Sequence, residues 1–369
     1  MNKYDYMIIG GGCSGLSLAI HIAKKEPHKK LIILENRSIY QHDRTWSFWN
    51  VDAHPFENQI QHTWSQWQIR HQDSELILGS CSYQYCTIPS ASFYEAALKQ
   101  ISLLSNLTLL MDCQVNSLVE SSSNVTIETN KGSYICTKVF DSRPVKIEAL
   151  LYQHFLGWQV LTKRPVFDPQ AVILMDFDVD QSKGLHFMYV LPFSSTEALI
   201  ESTFISPHIH DDQIYEEAIS GYLKVRFQAS EYQIVRKERG ILPLRTTIPD
   251  SLSSKVIPIG AKAGWTRAST GYAFLPIQKA IQNLAFDQRK QKSLNIDLCL
   301  DQIFLAFLHD RPQYAPEVFF ELFRKNPPER LIRFLTGHWS FVDLLQVLFS
   351  MPKMIMIKQA LELISKRGR

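Results

Sequence analysis

Three groups of residues in this chain have the types and spacing to do chemistry. The first is the turn Gly10-Gly11-Gly12-Cys13-Ser14-Gly15, which follows the apolar run Tyr4–Ile9. Twenty residues past Gly15, after a second apolar run, stands Glu35. This is the layout of a dinucleotide-binding βαβ unit. Gly10 allows the tight turn, Gly12 lets backbone approach a pyrophosphate, and Gly15 lets the helix pack close to the strand. The helix N-terminus then faces the phosphates with free N–H groups and a positive dipole end, and Glu35 is placed to accept ribose hydroxyls. The second group is a carboxyl on a strand. Alternation in Glu197–Phe204 puts Leu199, Glu201 and Thr203 on one face. Against an apolar groove, burial disfavours the charged form and Glu201 becomes a protonated general acid near neutral pH. Half-exposed, it is an ordinary strand glutamate paired to a lysine. The third group is aromatic: Trp46, Phe48, Trp49, Phe187, Tyr189 and Phe204. A cation over such a face gains about 0.5–2 kcal/mol when desolvated, and the same residues serve equally well as core. Asp43 and Arg44 stand just before them, as an ion pair that orders the loop or as a solvated turn.

The elements that must position these groups follow from the rest of the chain. Its 369 residues carry a net charge of +3 and are 45% hydrophobic, which suits one large or two intergrown domains and leaves no electrostatic footprint for nucleic acid. No apolar run is long enough to span a bilayer, and the N-terminal apolar run leads into a fold motif rather than a cleavage site. A cytoplasmic protein is expected. Six scattered cysteines form no Cys-x-x-Cys, so neither a metal site nor a disulfide framework is expected. Strands are expected at 107–111, 125–129 and 133–140, with three adjacent strands of a second sheet at 171–178, 185–191 and 198–205. Helices are expected over 211–223, over 275–287 and through most of the chain from 294. The expected fold class is α/β: a Rossmann-like dinucleotide domain (1–75, 105–150 and 255–290), an inserted β-sheet substrate domain (76–104 and 151–254) and a helical C-terminal region (291–369). Amphipathic segments around 331–358, with basic flanks and a basic end, suit either a bilayer interface or a helical cap over the cavity.

Six segments in order carry a resemblance. They are the glycine turn, Asp43-Arg44-Thr45-Trp46-Ser47-Phe48-Trp49, Met175-Asp176-Phe177-Asp178-Val179-Asp180-Gln181, Leu191-Pro192 followed by Glu201-Ser202-Thr203, Glu238-Arg239-Gly240-Ile241-Leu242-Pro243, and Gly260 through Gly264 to Thr270-Gly271-Tyr272. Together they resemble the bacterial lycopene cyclases, flavoproteins that close the end rings of carotenoids. The resemblance implies FAD, active when reduced and with NAD(P)H as candidate reductant, bound through Gly10–Gly15, Glu35, Arg44, Asp141, Gly260, Gly264, Thr270, Gly271 and Tyr272. It implies Glu201 as the proton donor, with Trp46, Phe48, Tyr189 and Phe204 toward a linear carotene such as lycopene. The enzyme would meet that substrate peripherally at the inner membrane, beside other enzymes of carotenoid synthesis. Glu238 is either a second acid/base or a residue that only shapes a turn, and the turn is the expectation. Two departures stand out. Asp141-Ser142-Arg143-Pro144 has proline where many relatives have glycine. The late turn reads Gly260-Ala261-Lys262, without the Gly-Asp of hydroxylase-like flavoproteins, which weakens the alternative of an FAD-dependent oxidoreductase acting on a lipophilic substrate. A non-catalytic pigment-binding flavoprotein is the third reading.

Overall fold

The N-terminal apolar run forms β1 (Asn2–Ile9), and the glycine turn passes it into α1 (Cys13–Lys25) and on to β2 (Leu31–Leu34). In the computed structural model, residues 2–144, 149–246, 253–284 and 296–351 are described. β1 is a central strand: it pairs in parallel with β2 and with a long later strand, Gly132–Asp141.

Three sheets are built among the described residues. The short one joins β3 (Thr45–Trp49), β4 (His62–Trp64) and β7 (Tyr85–Pro89) in antiparallel fashion. The first large sheet adds β8 (Leu107–Leu110), β9 (Val115–Glu120), β10 (Val125–Thr129), β11 (Gly132–Asp141) and β17 (Val256–Pro258) to β1 and β2. Its β8-β2-β1-β11 core is parallel. The second large sheet runs in the order β16 (Tyr232–Leu244), β12 (Leu151–Thr162), β15 (Glu197–Ser206), β14 (Leu185–Pro192), β13 (Ala171–Asp176), β5 (Gln66–His71), β6 (Ser74–Gly79). The fold is thus α/β, with a Rossmann-like unit, an inserted β-sheet and a helical end.

Each large sheet buries its faces differently. Against the first pack α1, α2 (Ser90–Ser102) and α4 (Phe274–Gln282), around Leu16, Ile20, Phe93, Ala97, Phe274 and Ile277. One face of the second sheet is covered by α3 (Asp212–Arg226), through Tyr215, Ile219 and Leu223. Leu191 and Leu199, on the other face, join a core with residues of α5 (Ile296–Asp310), α6 (Ala315–Lys325), α7 (Pro328–Thr336) and α8 (Phe341–Ser350). At α8 the Ser340 side chain accepts from the Asp343 amide and the Asp343 carboxylate from the Ser340 amide, a reciprocal cap.

The sheet memberships redraw one expected boundary. A division at residue 75 cuts the β5–β6 hairpin, whose strands both lie in the second sheet. The segment 76–104, expected with the substrate sheet, sends α2 back against α1 and Phe93 into the first core. The reason is chain order: 45–104 crosses between the two large sheets more than once, and local patterning does not record which sheet a strand joins. The ends of two expected segments, 285–287 and the basic tail from 352 to 369, lie outside the described residues.

Candidate functional site

The glycine turn has the geometry of a phosphate cradle. Gly10 has φ +94°, a conformation that favours glycine, and a Cβ on Gly15 would lie 1.9 Å from the Gly10 carbonyl oxygen. A Cβ on Gly12 would meet no atom within 4 Å. That position faces open space at the N-terminus of α1, where no side chain caps the helix and no acidic residue stands in the first turn. Free amides and a positive helix end are therefore presented to that space. The late turn closes it from the side, since Gly260 approaches Ser14 closely enough that a Cβ would sit 2.5 Å from its Oγ. Cys13 is buried, its thiol pushed up to about 12 by desolvation, so it is a packing residue and not a nucleophile.

Two carboxylates at this end are already occupied. Glu35 accepts from the Gly11 amide at 2.5 Å and from the Arg37 amide at 2.8 Å, and the Arg37 guanidinium takes what remains of both oxygens. Burial opposes its charge, but these donors hold the carboxyl below its usual range. Asp141 binds the Arg143 side chain at 2.9 Å and the Lys262 ammonium at 2.6 Å. Ala261 thus stands where a Gly-Asp motif would place its acid, and the next residue, Lys262, turns to Asp141. Arg44 pairs with its neighbour Asp43 at 2.7 Å, with the Arg44 side chain largely exposed.

The second sheet holds the other half of the site. Glu201 is 8% exposed and Glu238 5%. They lie on β15 and β16, in register with the same residue of the strand between them, Gly157. Having no side chain, Gly157 leaves a gap into which the two carboxyl side chains reach from either side. Burial pushes the Glu201 carboxyl well above the ordinary carboxylate range, and the Glu238 charge pushes in the same direction. Glu238 accepts from Arg236 and, at 3.1 Å, from the Thr45 hydroxyl; Arg236 Nη2 donates to Thr45 Oγ1 at 2.9 Å. Glu238 is therefore a buried residue within the edge strand β16 and not at a turn, and the glycine of its Glu-x-Gly element serves packing: the Phe155 ring lies over Gly240. Tyr189, opposite Glu201 on β14, shares a 2.9 Å hydrogen bond with Tyr85. Trp49 packs edge-on to Tyr85, and Tyr272 packs against the same core.

Strand alternation sorts the aromatic candidates. On β3, Thr45 and Ser47 reach the Glu238–Tyr189 side, with Trp49 in the same core as Tyr85. Trp46 and Phe48 point the other way, Phe48 stacked on Phe274 at 5.0 Å and Trp46 against Phe93. These two are packing of the first core and do not face Glu201. Phe204 is also on the far side of its sheet, stacked on His186 at 3.9 Å beneath α3. Phe187 lies in the core with Phe177. The segment Met175–Gln181 is structural: Asp176 accepts from Tyr222 of α3 at 2.7 Å, and the Gln181 amide bonds three carbonyls. Sequence reasoning missed Thr45, Ser47, Tyr85, Gly157 and Arg236. The even spacing of 45, 47 and 49 within β3 was the signal for the first two; nothing local marks the others.

The two large sheets, the glycine turn and the helical end define a class. A geranylgeranyl bacteriochlorophyll reductase-like protein from Thermoplasma acidophilum has the same fold, with a TM-score of 0.64, 12% identity and coverage of 97% of this chain and 98% of that one. A flavoprotein/dehydrogenase from Cytophaga hutchinsonii matches at TM-score 0.61 and 13% identity, over 100% of both chains. A p-nitrophenol 4-monooxygenase from Pseudomonas putida follows at 0.57 and 13%, over 98% of each. The sequence is more specific. The family described as lycopene cyclase protein matches residues 5–361, and the chain belongs to it. Among similar proteins are the lycopene beta-cyclases of Pantoea ananas, 25% identical over 95% of both chains, and of Pseudescherichia vulneris, 26% identical over 79% of this chain and 75% of that one.

Proposed function

We propose that this chain is a lycopene β-cyclase, an intramolecular lyase that closes β-ionone-type rings on lycopene without net redox change, with FAD as its resident cofactor. The observation that carries the reading is Glu201: a buried carboxyl whose protonated form burial favours, beside a cluster of tyrosine and tryptophan rings, in a chain of this family. Its O–H bond breaks as a C–H bond forms at the terminal double bond of the carotene. The neighbouring double bond closes the ring onto the resulting cation, and a ring proton then leaves to the carboxylate left on Glu201, which restores the acid. Tyr189, Tyr85 and Trp49 exclude water and offer ring faces to the cation, each contributing about 0.5–2 kcal/mol.

The residues present fit a flavin dinucleotide. The open space at Gly12 and the uncapped start of α1 suit a pyrophosphate, and a ribose would exchange with the Arg37 guanidinium at Glu35. Arg44, Asp141, Gly260, Gly264, Thr270, Gly271 and Tyr272 are proposed to line the rest. When bound and reduced, with NAD(P)H as the electron source, the flavin supplies an anionic ring that stabilises nearby positive charge. Access to an insoluble carotene is proposed through α8. It exposes Phe341 (69%), Val342 and Phe349 (66%), while no helix among the described residues is long and apolar enough to cross a membrane. This suits peripheral attachment at the cytoplasmic face of the inner membrane, beside other carotenoid enzymes.

The test is expression in a lycopene-accumulating bacterium followed by pigment chromatography. Glu201→Gln is expected to lower cyclisation by the ~10²–10⁴-fold typical of a lost general acid. Glu201→Asp, withdrawn by about 1 Å, is expected to lose ~10²-fold. Cyclisation by the Gln variant at near wild-type rate refutes the assignment.

A further inference from the structure

The second buried carboxyl has no task in the scheme above. Glu238, Gly157 and Glu201 lie side by side on three neighbouring strands. A Cβ at Gly157 would come within 2.9 Å of Glu201 Cγ and 3.3 Å of Glu238 Cγ. The glycine is therefore the one place in this row where a side chain is missing, and the two carboxyls fill it from either side. The donors around them are unevenly shared. Arg236 and Thr45 both donate to Glu238 Oε2. Arg236 is itself steered by Gln159, whose Oε1 accepts from Nε at 2.9 Å while its amide donates to Glu197 at 2.7 Å. Glu201 has Glu238 as its side-chain partner. Two carboxyls brought together across so narrow a gap can bond to each other only by keeping a proton, because two carboxylates offer four acceptors and no donor.

We propose that Glu201 and Glu238 hold one proton between them across Gly157, with Arg236 and Thr45 fixing the charge on Glu238 and so keeping the proton on Glu201. Glu238 is then a positioning residue that sets the protonation state and direction of the donor, and Gly157 is the gap that lets it do so. The inference rests on Glu201 being the acid. The groups facing Glu201 are Glu238 and Arg236 from β16, Tyr189 from β14 and Tyr85 from β7; His42 lies near Arg236. Of these, removing the Glu238 charge has a sign that no purely structural role reproduces. A like charge raises a carboxyl's affinity for its proton by about 1–3 pH units. Without it, and with Arg236 released, Glu201 ionises at lower pH.

The experiment uses the flavin-loaded full chain with lycopene in liposomes. The pH–rate profile is recorded for wild type, Glu238→Gln, Glu238→Asp and Gly157→Ala, with flavin content as the check on folding. The alkaline limb of the Gln variant is expected to move about 1–3 pH units toward acid, so that activity lost at neutral pH returns on acidification. The Asp variant, which keeps the charge, is expected to restore the limb. Gly157→Ala wedges the pair apart and is expected to lose ~10²-fold in kcat, with its limb also moved acidward. Infrared titration without substrate gives a second readout. One protonated carboxyl band, absent in Glu201→Gln, is expected to persist through neutral pH in wild type and to vanish at lower pH in Glu238→Gln. If Glu201→Gln is inactive while Glu238→Gln keeps both the wild-type limb and the band, the shared proton is refuted and the acid assignment stands. If Glu201→Gln is active, the acid assignment itself falls. Should the Gln variant lose its flavin, the limb of Gly157→Ala decides: an unmoved limb refutes the shared proton.

Discussion

Replacing single glycines of the N-terminal turn separates cofactor binding from folding. Gly12 has φ −82° and ψ −169°, a conformation any residue adopts, and a methyl group there touches nothing within 4 Å. Gly12→Ala therefore costs the fold little. The gain of about 0.4–1 kcal/mol from a less flexible unfolded chain is offset by the loss of a favourable N-cap residue, typically a similar amount. The melting temperature of the flavin-free protein is expected to stay within about 2–4 °C of wild type. The same methyl occupies the space assigned to the pyrophosphate. Overpacking of about 1–3 kcal/mol corresponds to about 5- to 150-fold weaker flavin binding. Gly15→Ala behaves in the opposite way, because its Cβ lies 1.9 Å from the Gly10 carbonyl oxygen and α1 must lift from β1. That variant is expected to melt well below wild type even without flavin. The assay is a flavin titration by fluorescence alongside thermal melts of the stripped protein. A Gly12→Ala protein that binds FAD at wild-type affinity refutes the placement of the pyrophosphate.

Glu201, raised above its unfolded value, contributes stability that is fully present below that value and lost as pH rises through the folded one; Glu201→Gln is therefore expected to melt higher than wild type at pH 8, with the difference gone near pH 4, as calorimetry at the two pH values would reveal. Changing Phe341, Leu345 and Phe349 of α8 together to Ser is expected to abolish liposome flotation while the protein stays folded, because these side chains face solvent; equal flotation of the two proteins would exclude α8 as the contact. Cyclisation is expected to need reduced flavin yet consume no reductant, and oxidation of one NADPH per ring formed would instead favour an oxidoreductase.

The glycine turn was readable because its chemistry is local: strand, turn, helix and acid follow one another within 35 residues, and the backbone alone dictates the glycines. The strands β13, β14 and β15 were readable for a similar reason, as apolar or alternating runs. Glu201 was placed on the correct face of its strand by alternation, but its burial was not written in that strand. Burial depends on β3, β7 and β16, which arrive from 45–49, 85–89 and 232–244. The same non-local assembly misled the reading of Trp46, Phe48 and Phe204. Each is aromatic and near a motif, and each points away because the period of two places it on the opposite face. Glu238 was read either as a second acid/base or as a residue shaping a turn, and the edge strand β16 accommodates its neighbouring glycine and proline without a turn.

β3 makes one strand answerable to two neighbours. Its even-numbered aromatics are bricks of the wall behind the glycine turn, while Thr45 and Ser47 reach through to the carboxyl pair and Tyr189. The strand is therefore a party wall and cannot be assigned to either room. A chimera that imports a relative's nucleotide-binding half with its own version of residues 45–49 changes the ligands of Glu238 at the same stroke. One that keeps the native strand leaves the imported half with foreign masonry. A single-residue insertion before Trp46 is harsher still, since it turns every side chain of the strand around. Recombination among these enzymes should accordingly succeed only at seams that leave β3 together with both of its neighbours.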